Sequence, residues 1–196
     1  MVKYMFLLSF VLMVLFGYSQ NSENVTAQRP LKFNLGVSQS SMTYFTNQNM
    51  YLDGSLEYFA SENVSFKGNC LWFIDSRNPN PIIYQNSIIL FGSAYHFVRK
   101  NHDLSFGFQP GFAIASPNYQ SINQEAFFFE PKYPLSVLPV AGFNVGYTLY
   151  FAKYCNFFFN AQYLFSRYRG TQKGSVVFDE FMISGGLGFQ LFTKKL

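Results

Sequence analysis

From residue 31 onward, bulky apolar and small or polar residues alternate with a period of two through eight stretches, about 31–41, 50–60, 64–75, 87–98, 103–116, 136–151, 155–168 and 180–192. That period sends neighbouring side chains to opposite faces, so each stretch predicts a β-strand. In the sixth, Ala141, Phe143, Val145, Tyr147, Leu149 and Phe151 share one face and Gly142, Asn144, Gly146 and Thr148 the other. The seventh sets Phe157, Phe159, Ala161, Tyr163 and Phe165 against Asn156, Asn160, Gln162 and Ser166, and the fifth and eighth repeat the division. The fourth is less regular. Ile89, Phe91, Tyr95 and Phe97 define an outward face there, and Gly92, Ala94 and His96 an inward one, but Ile88 and Leu90 interrupt the pattern.

The connections alternate in length. Residues 61–63, 99–102 and 152–154 make short ones, whereas 42–49, 76–86, 117–135 and 169–179 are long. Tight turns at one end, longer loops at the other and an even strand number describe an outer-membrane β-barrel, whose strands of ~9–11 tilted residues suffice to span a bilayer. Closure is also the only way a sheet satisfies its backbone in lipid. A soluble secreted sandwich, which alternates too, is the architectural alternative. The predicted fold is therefore all-β, an eight-stranded antiparallel up-and-down transmembrane barrel over residues 31–196. Turning the second hairpin at 61–63 places Leu56 opposite Gly68, Glu57 opposite Lys67 and Ser55 opposite Asn69. Turning another at 152–154 pairs Leu149 with Phe157, Phe143 with Tyr163 and Asn144 with Gln162. Like faces meet in both hairpins, and a slip of one residue would mix them.

Ahead of the strands, Lys3, the apolar run 4–16 and the small residues Gly17 and Ser19 have the three parts of a secretory signal peptide, predicted over 1–19. A polar periplasmic lead-in follows at 20–30. Composition agrees with this reading. Phe 26, Tyr 14 and Trp 1 make 21% of the 196 residues against 12% charged, which excludes disorder, and two cysteines exclude a disulfide scaffold. A formal net charge of +4 gives no basis for nucleic-acid binding. Mean hydropathy near zero, +0.05, is what results when half of each strand faces lipid and half a polar lumen.

The Gln109-Pro110-Gly111 step, the strand running from Pro139 to Tyr147 and the glycine-rich last strand Gly185-Gly186-Leu187-Gly188-Phe189 resemble the small PorT-like outer-membrane β-barrel family. The resemblance implies an eight-stranded barrel in a Gram-negative outer membrane with its termini in the periplasm. It implies little about activity, since that family is functionally mixed.

Residues able to carry chemistry are few. Asp53, Glu57 and Lys67, with Lys32 and Arg167, are expected to point inward, either as the charged eyelet of a pore or as a salt-bridged network. The second is favoured, because eight strands enclose a space that side chains can fill. His96 and His102 fall at the short-turn end and read as girdle or turn residues rather than as the base of a lipid hydrolase near the outer leaflet. Cys70 and Cys155 lie on strands that are not neighbours and are expected to be free thiols. No metal spacing or cofactor motif is present. Arg99, Lys100, Lys153, Lys194 and Lys195 give the short-turn rim a basic character. Phe127, Phe128 and Phe129, inside the longest loop, are the candidate contact for a partner protein or a lipid headgroup. The expected function is non-enzymatic, a structural or accessory subunit of an envelope complex in contact with outer-membrane lipid. A narrow porin-like channel is the alternative, and a lipid-modifying enzyme a more remote one.

Overall fold

The computed structural model describes residues 31–79, 81, 83–117, 135–171 and 174–191. The predicted leader and lead-in, the Phe127–Phe129 loop and residues 192–196 lie outside them. The strands are β1 (Leu31–Met42), β2 (Gln48–Phe59), β3 (Val64–Ser76), β4 (Ile83–Arg99), β5 (His102–Pro117), β6 (Ser136–Tyr150), β7 (Cys155–Thr171), β8 (Gly174–Val177) and β9 (Glu180–Leu191). All pairings are antiparallel; β6 pairs with β7, β7 with β9 and β9 with β1, so the eight long strands close on themselves. The ninth element is a correction. Part of the stretch expected as a 169–179 loop is β8, four residues that pair back onto the end of β7 and prolong it as a ribbon.

The expected registers hold. Glu57 opposes Lys67 and Leu56 opposes Gly68 between β2 and β3, until a bulge shifts the pairing at Met50/Tyr51. Between β6 and β7, Asn144 opposes Gln162 and Phe143 opposes Tyr163. Following opposed residues round the barrel from Leu31 leads through Tyr58, Phe66, Ser93, Phe108, Phe143, Tyr163 and Phe181 back to β1 at Ser41. A row that returns ten residues further along its own strand is a steep stagger, and with eight strands it sets their tilt at about 40–45°.

Faces follow parity. Outward positions are large, apolar and exposed, among them Phe33, Leu56, Phe66, Phe91, Phe143, Phe159 and Phe189. Inward positions are buried. The irregular fourth strand resolves at this point, for Ile88 and Leu90 face inward and join an apolar cluster with Leu71, Val140, Leu164 and Met182. The expectation of a polar lumen is thereby corrected, since toward the long loops this apolar cluster shares the lumen with buried Ser40, Asn49, Asn86 and Glu180. Arg167 is likewise corrected, being exposed on an outward position while its neighbour Ser166 faces in.

Pro110 accounts for one irregularity. It has no N–H to donate, and the β4–β5 ladder breaks beside it, between Leu90↔Gly111 and Ser93↔Phe108. Glycines line the break. A Cβ added at Gly92 would run into the Phe108 carbonyl oxygen, and one at Gly111 into that of Ile89. Gly92→Ala or Gly111→Ala should therefore cost about 1–3 kcal/mol, whereas Gly54→Ala, whose new methyl would find only the Cys70 oxygen at 3.9 Å, should be neutral or slightly stabilising. Urea unfolding in detergent micelles, read by heat-modifiable mobility, separates the two classes. In the tight turn between β4 and β5, Lys100 holds φ at 55°, which a residue with a Cβ adopts at a cost of roughly 1 kcal/mol. Lys100→Gly should recover about half of that or more in the same assay.

Candidate functional site

The lumen is built in three levels, each set by the inward parity of successive strands. At the short-turn end a charged cluster is completely buried. Glu57 is its centre, with Lys32 from β1 at 2.5 Å on Oε2 and His96 from β4 at 3.1 Å on Oε1. Ser65 on β3 donates its hydroxyl to the same Oε1 at 2.7 Å. The other ring nitrogen of His96 meets Asp103 of β5 at 2.9 Å, and Tyr150 of β6 donates to the second Asp103 oxygen at 3.0 Å. One network thus ties six consecutive strands, β1 to β6.

Asp103 can only accept, so His96 donates from Nδ1, while its Nε2 lies 2.8 Å from Ser65 Oγ and 3.1 Å from Glu57 Oε1. With the imidazole protonated the cluster balances, Lys32 and His96 against Glu57 and Asp103. Burial of four charges is tolerable only in such mutual pairing, since each ion alone would cost several kcal/mol to desolvate. Ser65, His96 and Asp103 are also joined in the order of nucleophile, base and orienting acid. Here, however, Ser65 directs its proton to Glu57, and with Ser65 and His96 at 0% exposure its Oγ faces charged groups rather than an open cleft.

The predicted inward residues divide. Glu57 is the hub, but it pairs with Lys32 rather than with Lys67, although both lysines oppose it in register. Lys67 is half-buried, and Asp53 is bound separately by the Ser38 hydroxyl at 3.1 Å. His96 faces inward, as the parity of β4 predicts, and is completely buried; the girdle or turn role expected of it is corrected to that of a lumen residue. His102 is exposed beside Tyr147, whose hydroxyl lies 2.6 Å from Nδ1, as a residue at a turn would be. Ser65, Asp103 and Tyr150 were missed. The parity that places Glu57 inside also places Asp103 inside, one residue before outward Leu104. Cys70 is exposed and Cys155 half-buried, and both are free thiols.

In the middle, amides replace charges. Asn144 donates to Gln109 at 2.7 Å, and Gln109 donates to Asn69 at 3.1 Å, a chain that crosses from β6 through β5 to β3. Toward the long loops the lumen turns apolar around a single carboxylate. Glu180 of β9 accepts from Ser40 at 2.6 Å, Tyr51 at 2.9 Å, Asn86 at 2.8 Å and Asn49 at 3.4 Å. Hydrogen bonds to a charged group contribute about 1.5–3 kcal/mol each and offset part of the cost of burying the carboxylate.

Removing one member of the ionic cluster leaves its partners buried and uncompensated. Glu57→Gln should destabilise the barrel by about 3–5 kcal/mol, and the double substitution Lys32→Met with Glu57→Leu should recover most of that. Equilibrium unfolding of the three proteins in one detergent checks both values; equal losses in the single and double variants would contradict the pairing.

No family model matches the chain, and no curated protein matches it in sequence. Among solved structures it is similar to the N-terminal β-barrel domain of OprF from Pseudomonas aeruginosa, at 15% identity over 84% of this chain and 99% of that one, with a TM-score of 0.55. The outer membrane protein OprG of the same organism aligns at 9% identity over 87% and 100%, with a TM-score of 0.59. Neisserial surface protein A aligns at 11% identity over 82% and 96%, with a TM-score of 0.50. At these identities the likeness is one of fold, a closed eight-stranded antiparallel β-barrel.

Proposed function

We propose that the chain is an integral outer-membrane protein that works without chemical turnover, as a structural or accessory subunit of an envelope complex. The observation that carries this reading is the filled lumen. Ionic, amide and apolar levels succeed one another between the short turns and the long loops. A barrel occupied in this way offers partners its outside and its two rims.

The outside supports the location. Phe66 at 58%, Phe91 at 60% and Trp72 at 61% exposure belong to a belt of large apolar side chains that surrounds the barrel, and lipid hydrocarbon is the solvent in which such a belt is stable. One structural neighbour, OprG, is an outer membrane protein by name and points the same way. Within that setting the PorT-like resemblance is the family reading, the short turns face the periplasm, and the proposed contacts are the Phe127–Phe129 loop and the basic rim at Arg99, Lys100 and Lys153.

Affinity isolation of the native protein from detergent-extracted envelopes should recover it in the outer-membrane fraction together with a stoichiometric partner, and Phe127→Ala with Phe128→Ala and Phe129→Ala should release that partner. A protein that is solitary by cross-linking in intact cells as well as after extraction would overturn the subunit reading.

A further inference from the structure

The two sides of the lumen are not equivalent. On the side formed by β2 to β6, buried polar groups are bonded to one another, and to Lys32 at the start of β1, through the ionic cluster and the Asn144–Gln109–Asn69 chain. On the opposite side, formed by β7, β9 and β1, buried polar atoms meet no protein partner: both side-chain amide atoms of Asn156, Asn160 and Gln162, Asn34 Oδ1, Ser184 Oγ and Gln190 Oε1, with Ser166 Oγ set apart from them beyond Leu164. All of these residues are buried, Ser166 at 8% exposure and the others at 5% or less. Native interiors leave few such groups unsatisfied, and ordered water is the usual partner where protein supplies none.

Their placement is continuous. Asn160 opposes Ser184 and Gln162 opposes Met182 across the β7–β9 seam, while Asn156 opposes Gly188, itself opposite Asn34. A side chain at Gly188 would collide with Asn34 Oδ1 and with the Asn156 amide, so unpartnered groups from two strands converge there over bare backbone. Beyond Gln162 the wall changes character. Leu164 and Met182, at 1% and 0% exposure, project inward in the next positions and join the apolar cluster.

We propose that the β7–β9–β1 wall binds a file of water molecules running from Gln190 at the short-turn end to Gln162, and that Leu164 and Met182 are the stop that keeps this file from becoming a pore. Each amide then has a mobile polar partner in place of a neighbouring side chain, and the barrel is wet along one side and dry across its outer half. The subunit reading does not depend on this, since a dry wall leaves the rims and loops unchanged.

The test uses the full mature chain in phospholipid vesicles. In water-edited solid-state NMR, the side-chain amides of Asn160 and Gln162 should receive magnetisation from water several-fold faster than those of Gln109 and Asn144, which are bonded to each other at a similar depth. Equal, slow transfer at all four would overturn the bound file. In planar bilayers containing potassium chloride, the wild-type barrel should be silent, and Leu164→Ser with Met182→Ser should give discrete conductance steps. Adding Asn160→Leu and Gln162→Leu to that pair should abolish them. A conducting wild type, or a Leu164/Met182 variant that shows folded heat-modifiable mobility and stays silent, would overturn the stop.

Discussion

Closure of the sheet is the constraint from which the rest follows. A strand edge exposed to hydrocarbon would leave a row of backbone N–H and C=O groups unpaired, each costing several kcal/mol. Here β9 pairs with both β7 and β1, which removes the last edge. Once eight strands close with a stagger of ten residues, the radius is set, and with it the volume that inward side chains must fill. Small inward residues are therefore as necessary as large ones. Gly92 and Gly111 lie beside the break in the β4–β5 ladder at Pro110, and there even a methyl group would meet backbone.

A closed barrel of this radius exchanges one difficulty for another, because polar inward positions are withdrawn from bulk water. The chain meets this in three chemically distinct ways. Charges are used where Lys32, Glu57, His96 and Asp103 can neutralise one another within hydrogen-bond distance. Amides are used where donors and acceptors can be chained, and apolar side chains where neither is available. Glu180 is the exception inside the apolar level, and it is tolerated because donors from β1, β2 and β4 converge on it.

Much of this was legible in the sequence, and the parts that were not share a cause. Strand positions and two hairpin registers follow from parity, which is local. Parity also states which side chains enter the lumen, and hence that Glu57 and His96 do. It does not state which inward residues meet across the lumen, since that depends on the stagger accumulated over several strands. Thus Glu57 was matched with Lys67, its neighbour on β3, while its ion pair goes to Lys32 on β1. Ile88 and Leu90 looked like faults in an amphipathic pattern because a uniformly polar lumen was assumed. Beside Leu71, Val140 and Leu164 they are the expected residues for a dry level. The ribbon at β8 is not marked in the sequence because four residues are too few to show an alternation, and they pair only with the end of β7.

The distribution of side-chain bonds also bears on how the barrel is held shut. The ionic cluster joins β1 to β6, strands that follow one another through successive connections, so its ties reinforce neighbouring pairs, with Glu57–His96 reaching over β3. The seam is different, because β1 and β9 are brought together only when the whole chain has turned. Across that seam the described side-chain to side-chain bonds of β9 all end on Glu180, which reaches β1 through Ser40, β2 through Tyr51 and Asn49, and β4 through Asn86. On the same two strands Asn34 Oδ1, Ser184 Oγ and Gln190 Oε1 have no protein partner. Backbone ladders and one buried carboxylate therefore do at the seam what an interlocked network does elsewhere. A carboxylate bound by neutral donors suits that place: it can satisfy donors from several strands at once, and it needs no second buried charge on the strand that arrives last.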